Sequence, residues 1–129
     1  DQRYKSAVAE RGLYSWVSFN GTSDIGMFFS DMYLRDGAAL DQDALWAASP
    51  IRHVDNVQTP TLVIHSETDW RTPAEQGEQL FTALRRRGVE SEFLRFPAGE
   101  GHELSRSGAP KHRFERFEAI IDWHGRYLS

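Results

Sequence analysis

Apolar residues in the second part of the chain form short continuous runs that alternate with longer segments of helical spacing. The run at 61–65 is rich in β-branched residues and predicts a strand that is covered on both faces. Over residues 74–87 the apolar positions recur every three or four residues, and Gly88 follows as a stop, which predicts a helix. Residues 91–96 predict a further strand, and a second long helix is expected after Pro110.

The second helix is expected to carry its apolar residues on one face, namely Phe114, Phe117, Ile120, Ile121, His124 and Leu128. Residues 6–10 form an apolar run compatible with a buried strand, although a run this short does not exclude a helix. Residues 19–26 have an irregular pattern. Strands that alternate with helices indicate a parallel sheet with crossover helices. We therefore predict an α/β fold with about three strands, fewer than the usual five to six.

Length and composition restrict the chain to one folded domain without disulfides. Its 129 residues are 40% hydrophobic, with a net charge of −4 and no cysteine. This composition argues against disorder, against non-specific nucleic-acid binding and against a thiol nucleophile or thiolate metal site. No apolar run approaches about 20 residues, so no membrane span is expected. The chain begins without a methionine or an apolar signal core, and we expect a piece of a longer cytoplasmic protein.

Two candidate catalytic residues follow successive predicted strands. Asp69 lies in the turn after the strand at 61–65, and His102 lies in a glycine-flanked loop after the strand at 91–96. Catalytic groups of open parallel sheets gather beyond the carboxyl ends of the strands. An acid followed by a histidine fits the last two members of a Ser-Asp-His triad. A turn acid and an ordinary loop histidine explain the spacing about equally well.

Other patterns with catalytic or metal-binding chemistry are incomplete. The segment that begins His102-Glu103 has arginine at position 106, where a zinc-binding H-E-x-x-H motif needs its second histidine. The remaining histidines lack ligand spacing, so neither a metal nor a cofactor is expected. A G-x-S-x-G nucleophile elbow is absent from the chain.

Several separated motifs resemble the C-terminal part of the catalytic domain of the prolyl oligopeptidase family, and most of all its acylaminoacyl peptidases. The most specific motif lies at residues 101–108 and continues into 110–113. The others are 10–12, Trp16, 21–26, 49–51, 59–62, 67–73 and 75–80. The resemblance covers nearly the whole chain and implies the C-terminal portion of an α/β-hydrolase fold over residues 1–129.

The resemblance implies roles for individual residues. Asp69 matches the triad acid of the family and His102 its base. The positions that match the substrate side-chain pocket of the family are Leu13, Trp16, Phe19 and Thr72, and core packing is the alternative for all four. In the family the nucleophile elbow lies just upstream of the segment that this chain matches, and an oxyanion tyrosine and a β-propeller lie further upstream. We therefore expect a piece that lacks the nucleophile and is inactive alone.

The leading prediction is a serine peptidase that hydrolyses short or N-acylated peptides. An esterase of the same fold is an alternative, since a triad does not distinguish an ester from an amide. A third hypothesis is a non-catalytic folding or assembly module. A sheet of about three strands leaves an open edge and an uncovered apolar face, so copies of the chain are expected to self-associate.

Overall fold

Three parallel strands form the centre of the computed structural model, which describes residues 3–34 and 41–128. They are β1 (Ala7–Glu10), β2 (Thr61–Ser66) and β3 (Ser91–Phe96), and the sheet has the order β1-β2-β3. Ala7 pairs with Thr61, and Thr61 pairs with Ser91, so the first residues of the three strands lie side by side. The predicted parallel α/β arrangement is confirmed, with strand bounds within one residue of those expected.

The described part of the chain has six α-helices and one 3₁₀ helix in addition to this sheet. The helices are α1 (Trp16–Thr22), α2 (Gly26–Leu34), α3 (Gln42–Ala48), the 3₁₀ helix Pro50–Asn56, α4 (Glu75–Arg86), α5 (Leu104–Ser107) and α6 (Pro110–Gly125). Both long helices match the sequence prediction closely. The end of α4 is followed by Gly88 with φ of +74°, a left-handed conformation that glycine adopts without strain.

The core lies on both faces of β2. Leu62 and Ile64 point to one face, where α5 and α6 contribute Leu104 and Trp123. Val63 points to the other face and packs with Leu84 of α4 and with Val54 of the 3₁₀ helix. All six residues of β2 are buried, which explains why its residues 62–64 are all apolar rather than alternating with polar residues.

The helices before residue 50 do not follow from apolar periodicity, and the sequence did not predict them. Helix α1 contains Gly21 and has an N-terminal cap from Ser15, whose hydroxyl accepts the Ser18 N–H. The buried Gln76 of α4 accepts the N–H groups of Tyr14 and Ser15, each at 2.8 Å. Contacts from distant residues therefore hold this segment helical, as tertiary packing generally does for short helices.

The expected apolar face of α6 is only partly buried. Ile120 packs against the core, whereas Phe114, Phe117 and Ile121 are more than half exposed, and Leu128 lies beyond the end of the helix. The apolar face is buried only in part because the core contacts the side of α6 that carries Ile120 and Trp123. Among the described residues, none of the helices has the length and apolar character needed to cross a membrane.

Candidate active site

Asp69 is held by the turn that follows β2. Its carboxylate is buried, and Oδ1 accepts the backbone N–H groups of Arg71 at 3.0 Å and Thr72 at 2.9 Å. Oδ2 lies 3.1 Å from the Thr72 hydroxyl. An aspartate that accepts from the backbone two and three residues ahead forms an Asx turn, so the same side chain shapes the turn and is fixed by it.

His102 reaches the carboxylate because the loops after β2 and β3 are joined by their backbones. The Thr68 N–H donates to the Glu100 carbonyl at 3.0 Å, and the Gly99 N–H donates to the Thr68 hydroxyl at 3.0 Å. A Cβ at Gly101 would lie 3.2 Å from the Thr68 carbonyl oxygen, so a glycine suits this close approach. His102 Nδ1 then lies 2.9 Å from Asp69 Oδ2, which confirms the predicted approach of these side chains.

The hydrogen bonds assign the tautomer of His102. A carboxylate only accepts, so the proton lies on Nδ1 and is donated to Asp69. Nε2 makes no hydrogen bond within residues 3–34 and 41–128, and about a quarter of the side chain is exposed (26%). In this tautomer Nε2 carries a lone pair and no proton, as a general base requires.

The pKa of Asp69 lies below its ordinary value. Burial has the largest single influence and acts to raise this pKa. The hydrogen bonds from His102 and from the Thr72 backbone, together with the charges of His102 and His65, outweigh burial and lower it. Asp69 is therefore ionised in the folded protein at neutral pH and can stabilise an imidazolium beside it.

His65 is a second histidine beside Asp69, and sequence analysis did not assign it a role at this site. Its ring is fully buried, and Nε2 lies 2.7 Å from the Thr72 carbonyl, to which it must donate. Nε2 is also 3.6 Å from Asp69 Oδ2. Gly77 packs against the Nδ1 side of the ring. A histidine at the end of an otherwise apolar strand, four residues before the acid, was the signal for this contact.

A second acid–histidine pair anchors the loop that carries His102. Glu100 is buried, and its Oε1 accepts from His112 Nδ1 at 2.6 Å and from the Ala109 N–H at 3.0 Å. The hydrogen bond from His112 is the main reason why the pKa of Glu100 lies below its ordinary value. This pair ties the loop to the first turn of α6, and sequence analysis missed it.

The four residues matched to a substrate pocket differ in their burial and contacts. Thr72 lies at the candidate pair, where its hydroxyl is 3.2 Å from His102 Nδ1. Phe19 is 1% exposed and packs against Trp16 and Phe29, with ring centroids 5.5 Å and 5.7 Å away. Leu13 is half-buried. The pocket assignment stays a prediction for all four.

The described residues contain no cluster of three or more histidine, cysteine or acidic side chains that could hold a metal ion. His102 and Glu103, which begin like a zinc motif, are engaged differently. His102 bonds to Asp69, and Glu103 pairs with Arg106. The chemistry that this arrangement supports is proton transfer by an oriented imidazole.

The chain is similar to known peptidases over nearly its whole length. The chain is 44% identical to the uncharacterized peptidase YuxL of Bacillus subtilis and 32% identical to the acylamino-acid-releasing enzyme of Arabidopsis thaliana, in each case over 98% of its length. It spans only 19% and 17% of these two relatives. The solved acylaminoacyl peptidase of Pyrococcus horikoshii covers 99% of the chain with a TM-score of 0.90 and 29% identity, and the chain covers 21% of it.

These similarities place the three strands and their helices in an α/β-hydrolase fold. The model of the prolyl oligopeptidase family matches residues 1–129, the full length of the sequence. The chain therefore belongs to the prolyl oligopeptidase family of peptidases.

Proposed function

We propose that this chain provides the acid and base of a Ser-Asp-His triad in a serine peptidase that hydrolyses short or N-acylated peptides. The observation that carries the proposal is the 2.9 Å hydrogen bond between His102 and the buried Asp69 at the carboxyl ends of two neighbouring strands. Family membership supports peptidase chemistry. The names of the acylamino-acid-releasing and acylaminoacyl relatives support an N-acylated peptide as the substrate.

In the proposed reaction, His102 Nε2 takes the proton from a serine hydroxyl as the serine oxygen bonds to the scissile carbonyl carbon. Asp69 stays ionised, holds Nδ1–H and stabilises the imidazolium. The C–N bond then breaks, and the imidazolium gives its proton to the leaving amine. A water molecule then loses a proton to Nε2 as its oxygen bonds to the acyl carbon. The bond between this carbon and the serine oxygen breaks, and the imidazolium returns the proton to the serine, which releases the carboxylic acid product.

We propose that the nucleophile comes from a segment outside these 129 residues, upstream in the same polypeptide, as do the second oxyanion donor and a β-propeller. The sequence has no G-x-S-x-G elbow, and Ser66, at the end of β2, is buried. The chain alone is then inactive towards peptides and esters. Incubation with a fluorophosphonate probe tests this, and stoichiometric labelling of a serine would refute it.

Substitutions in a longer polypeptide that contains this chain and the nucleophile test the roles of the pair. His102→Ala and Asp69→Asn are expected to lower kcat by about 10³–10⁶-fold while the fold is retained. The matched control is His53→Ala, since His53 is exposed and makes no contact with the pair. Near-normal turnover in His102→Ala would refute the mechanism. Faster hydrolysis of simple esters than of acyl-peptides would favour the esterase alternative.

We also propose that Leu13, Trp16, Phe19 and Thr72 contribute to the substrate side-chain pocket. The half-buried state of Trp16 beside the packed Phe19 supports an apolar surface at this position. Trp16→Ala in the longer polypeptide is expected to change the preference among substrate side chains more than it changes kcat. Equal loss of turnover with every side chain would contradict this role.

The outer edge of β1 is a surface through which copies of the chain can associate. Within the described residues, β1 pairs only with β2, so its outer edge has backbone groups available to another strand. We propose that copies of the chain pair through this edge. Size-exclusion chromatography with light scattering is expected to show dimers or larger species at micromolar concentration, and a clean monomer would contradict it.

A further inference from the structure

Arg11 has a backbone conformation that arginine rarely adopts. Its φ is +43°, and within the described segments no other residue except glycine has a positive φ. This left-handed region is disfavoured for side chains with a Cβ, and it is populated mainly by glycine, asparagine and aspartate. Residues in such conformations persist where the surrounding contacts compensate, and they cluster at functional sites. The contacts of Arg11 therefore point to its role.

Three parts of the candidate site meet at Arg11, which directly follows β1. Its N–H donates to the Ile64 carbonyl at 3.0 Å, and its own carbonyl accepts from the Thr72 hydroxyl at 3.0 Å. Its guanidinium Nη1 donates to the His102 carbonyl at 2.8 Å. Arg11 thus connects the end of β1 to β2, to the turn that holds Asp69 and to the histidine itself.

The bond to His102 is the contact that only the arginine side chain provides. The side chain is 31% exposed, and Nη1 also lies 3.6 Å from Glu103 Oε1. A hydrogen bond from a charged donor is stronger than one between neutral groups. Because it acts on the backbone of His102, it restrains the position from which the ring must meet Asp69.

We infer that Arg11 is a positioning residue for His102, which it holds so that Nδ1 stays in register with Asp69. Its importance for turnover rests on the proposed function, whereas its effect on the Nδ1 hydrogen bond is measurable without catalysis. The left-handed backbone makes the two effects of a substitution separable, because asparagine suits that conformation but lacks the guanidinium.

The test is Arg11→Asn in the folded chain, with NMR observation of the His102 Nδ1 proton and a thermal unfolding curve. The expected result is an unchanged or raised Tm together with about tenfold faster exchange of the Nδ1 proton with water. The matched control is Arg106→Asn, which removes an arginine that pairs with Glu103 but does not contact His102. This control is expected to leave the exchange rate unchanged.

Two results would overturn the inference. Unchanged exchange in Arg11→Asn would mean that the guanidinium does not position His102, and loss of the folded state would mean that position 11 serves the fold instead. In a longer active polypeptide, Arg11→Asn is expected to lower kcat about tenfold with little change in KM. If His102→Ala there leaves turnover intact, the proposed function fails, while the exchange measurement still decides the role of Arg11.

Discussion

Gly77→Ala is expected to destabilise the protein although alanine is the better helix former. In the interior of a helix, alanine is more favourable than glycine by about 1 kcal/mol. Gly77 lies within α4, where a Cβ would be 2.8 Å from Nδ1 of His65 and 3.2 Å from its Cβ and Cγ. The ring has little room to move, because it is 1% exposed and its Nε2 is bonded to the Thr72 carbonyl.

The opposing contributions give the sign and size of the change. Overpacking a filled interior costs about 1–3 kcal/mol, and displacing the ring forfeits a hydrogen bond that contributes about 0.5–1.5 kcal/mol. Helix propensity offsets about 1 kcal/mol of this cost. The free energy of unfolding should therefore fall by about 0.5–3.5 kcal/mol.

Gly21→Ala is the matched control, since Gly21 lies inside α1 and a Cβ at this position would meet no neighbouring group within 4 Å. It is expected to raise the free energy of unfolding by about 0.5–1 kcal/mol. Urea denaturation followed by circular dichroism measures both variants, with equal m-values as the condition for comparison. If Gly77→Ala is as stable as Gly21→Ala, His65 is not packed against α4 as described.

Three further predictions concern pH, the core and the histidine loop. Because the pKa of Asp69 is lower in the folded protein, its carboxylate stabilises the fold at pH values above the ordinary aspartate pKa, and this stability is lost as the pH falls through the folded-state pKa. Asp69→Asn should therefore make the free energy of unfolding less dependent on pH in the acid range. Trp123→Ala should cost about 3–5 kcal/mol in urea denaturation, whereas Phe114→Ala, at an exposed position, should change stability by less than about 0.5 kcal/mol. Glu100→Gln removes the carboxylate that accepts from His112, and hydrogen exchange at the amides of residues 99–108 should accelerate about tenfold, while unchanged exchange would contradict the anchoring role.

Local pattern was enough to predict the elements that position the candidate pair. β2 is covered on both faces, and its residues 62–64 are all apolar. The apolar residues of α4 recur at helical spacing, and Gly88 follows the end of the helix. Parallel strands place their carboxyl ends at one edge, so the loops with Asp69 and His102 had to be neighbours. Periodicity and chain order carry this information without any knowledge of distant contacts.

The same local pattern was insufficient for α1 and for the outer side of α6. Helix α1 includes a glycine and depends on Gln76, a residue 61 positions from Ser15. On α6 the sequence shows which residues are apolar, but only the sheet decides that Trp123 is buried and Phe114 is exposed. The burial of a helical side chain depends on which other element packs against it, and the sequence of the helix alone does not contain that information.

The sequence by itself determined the α/β order, which is encoded in local spacing. It also determined the family resemblance, which is encoded in contiguous motifs and which pointed to Asp69 and His102. Only the tertiary structure decided that His65 supports Thr72 and that Arg11 donates to the His102 carbonyl across 91 residues. These contacts join side chains to backbone atoms of distant loops, and a carbonyl has the same chemistry at every position. The sequence shows which side chains can donate such hydrogen bonds, but only the folded structure shows which backbone carbonyl accepts each one.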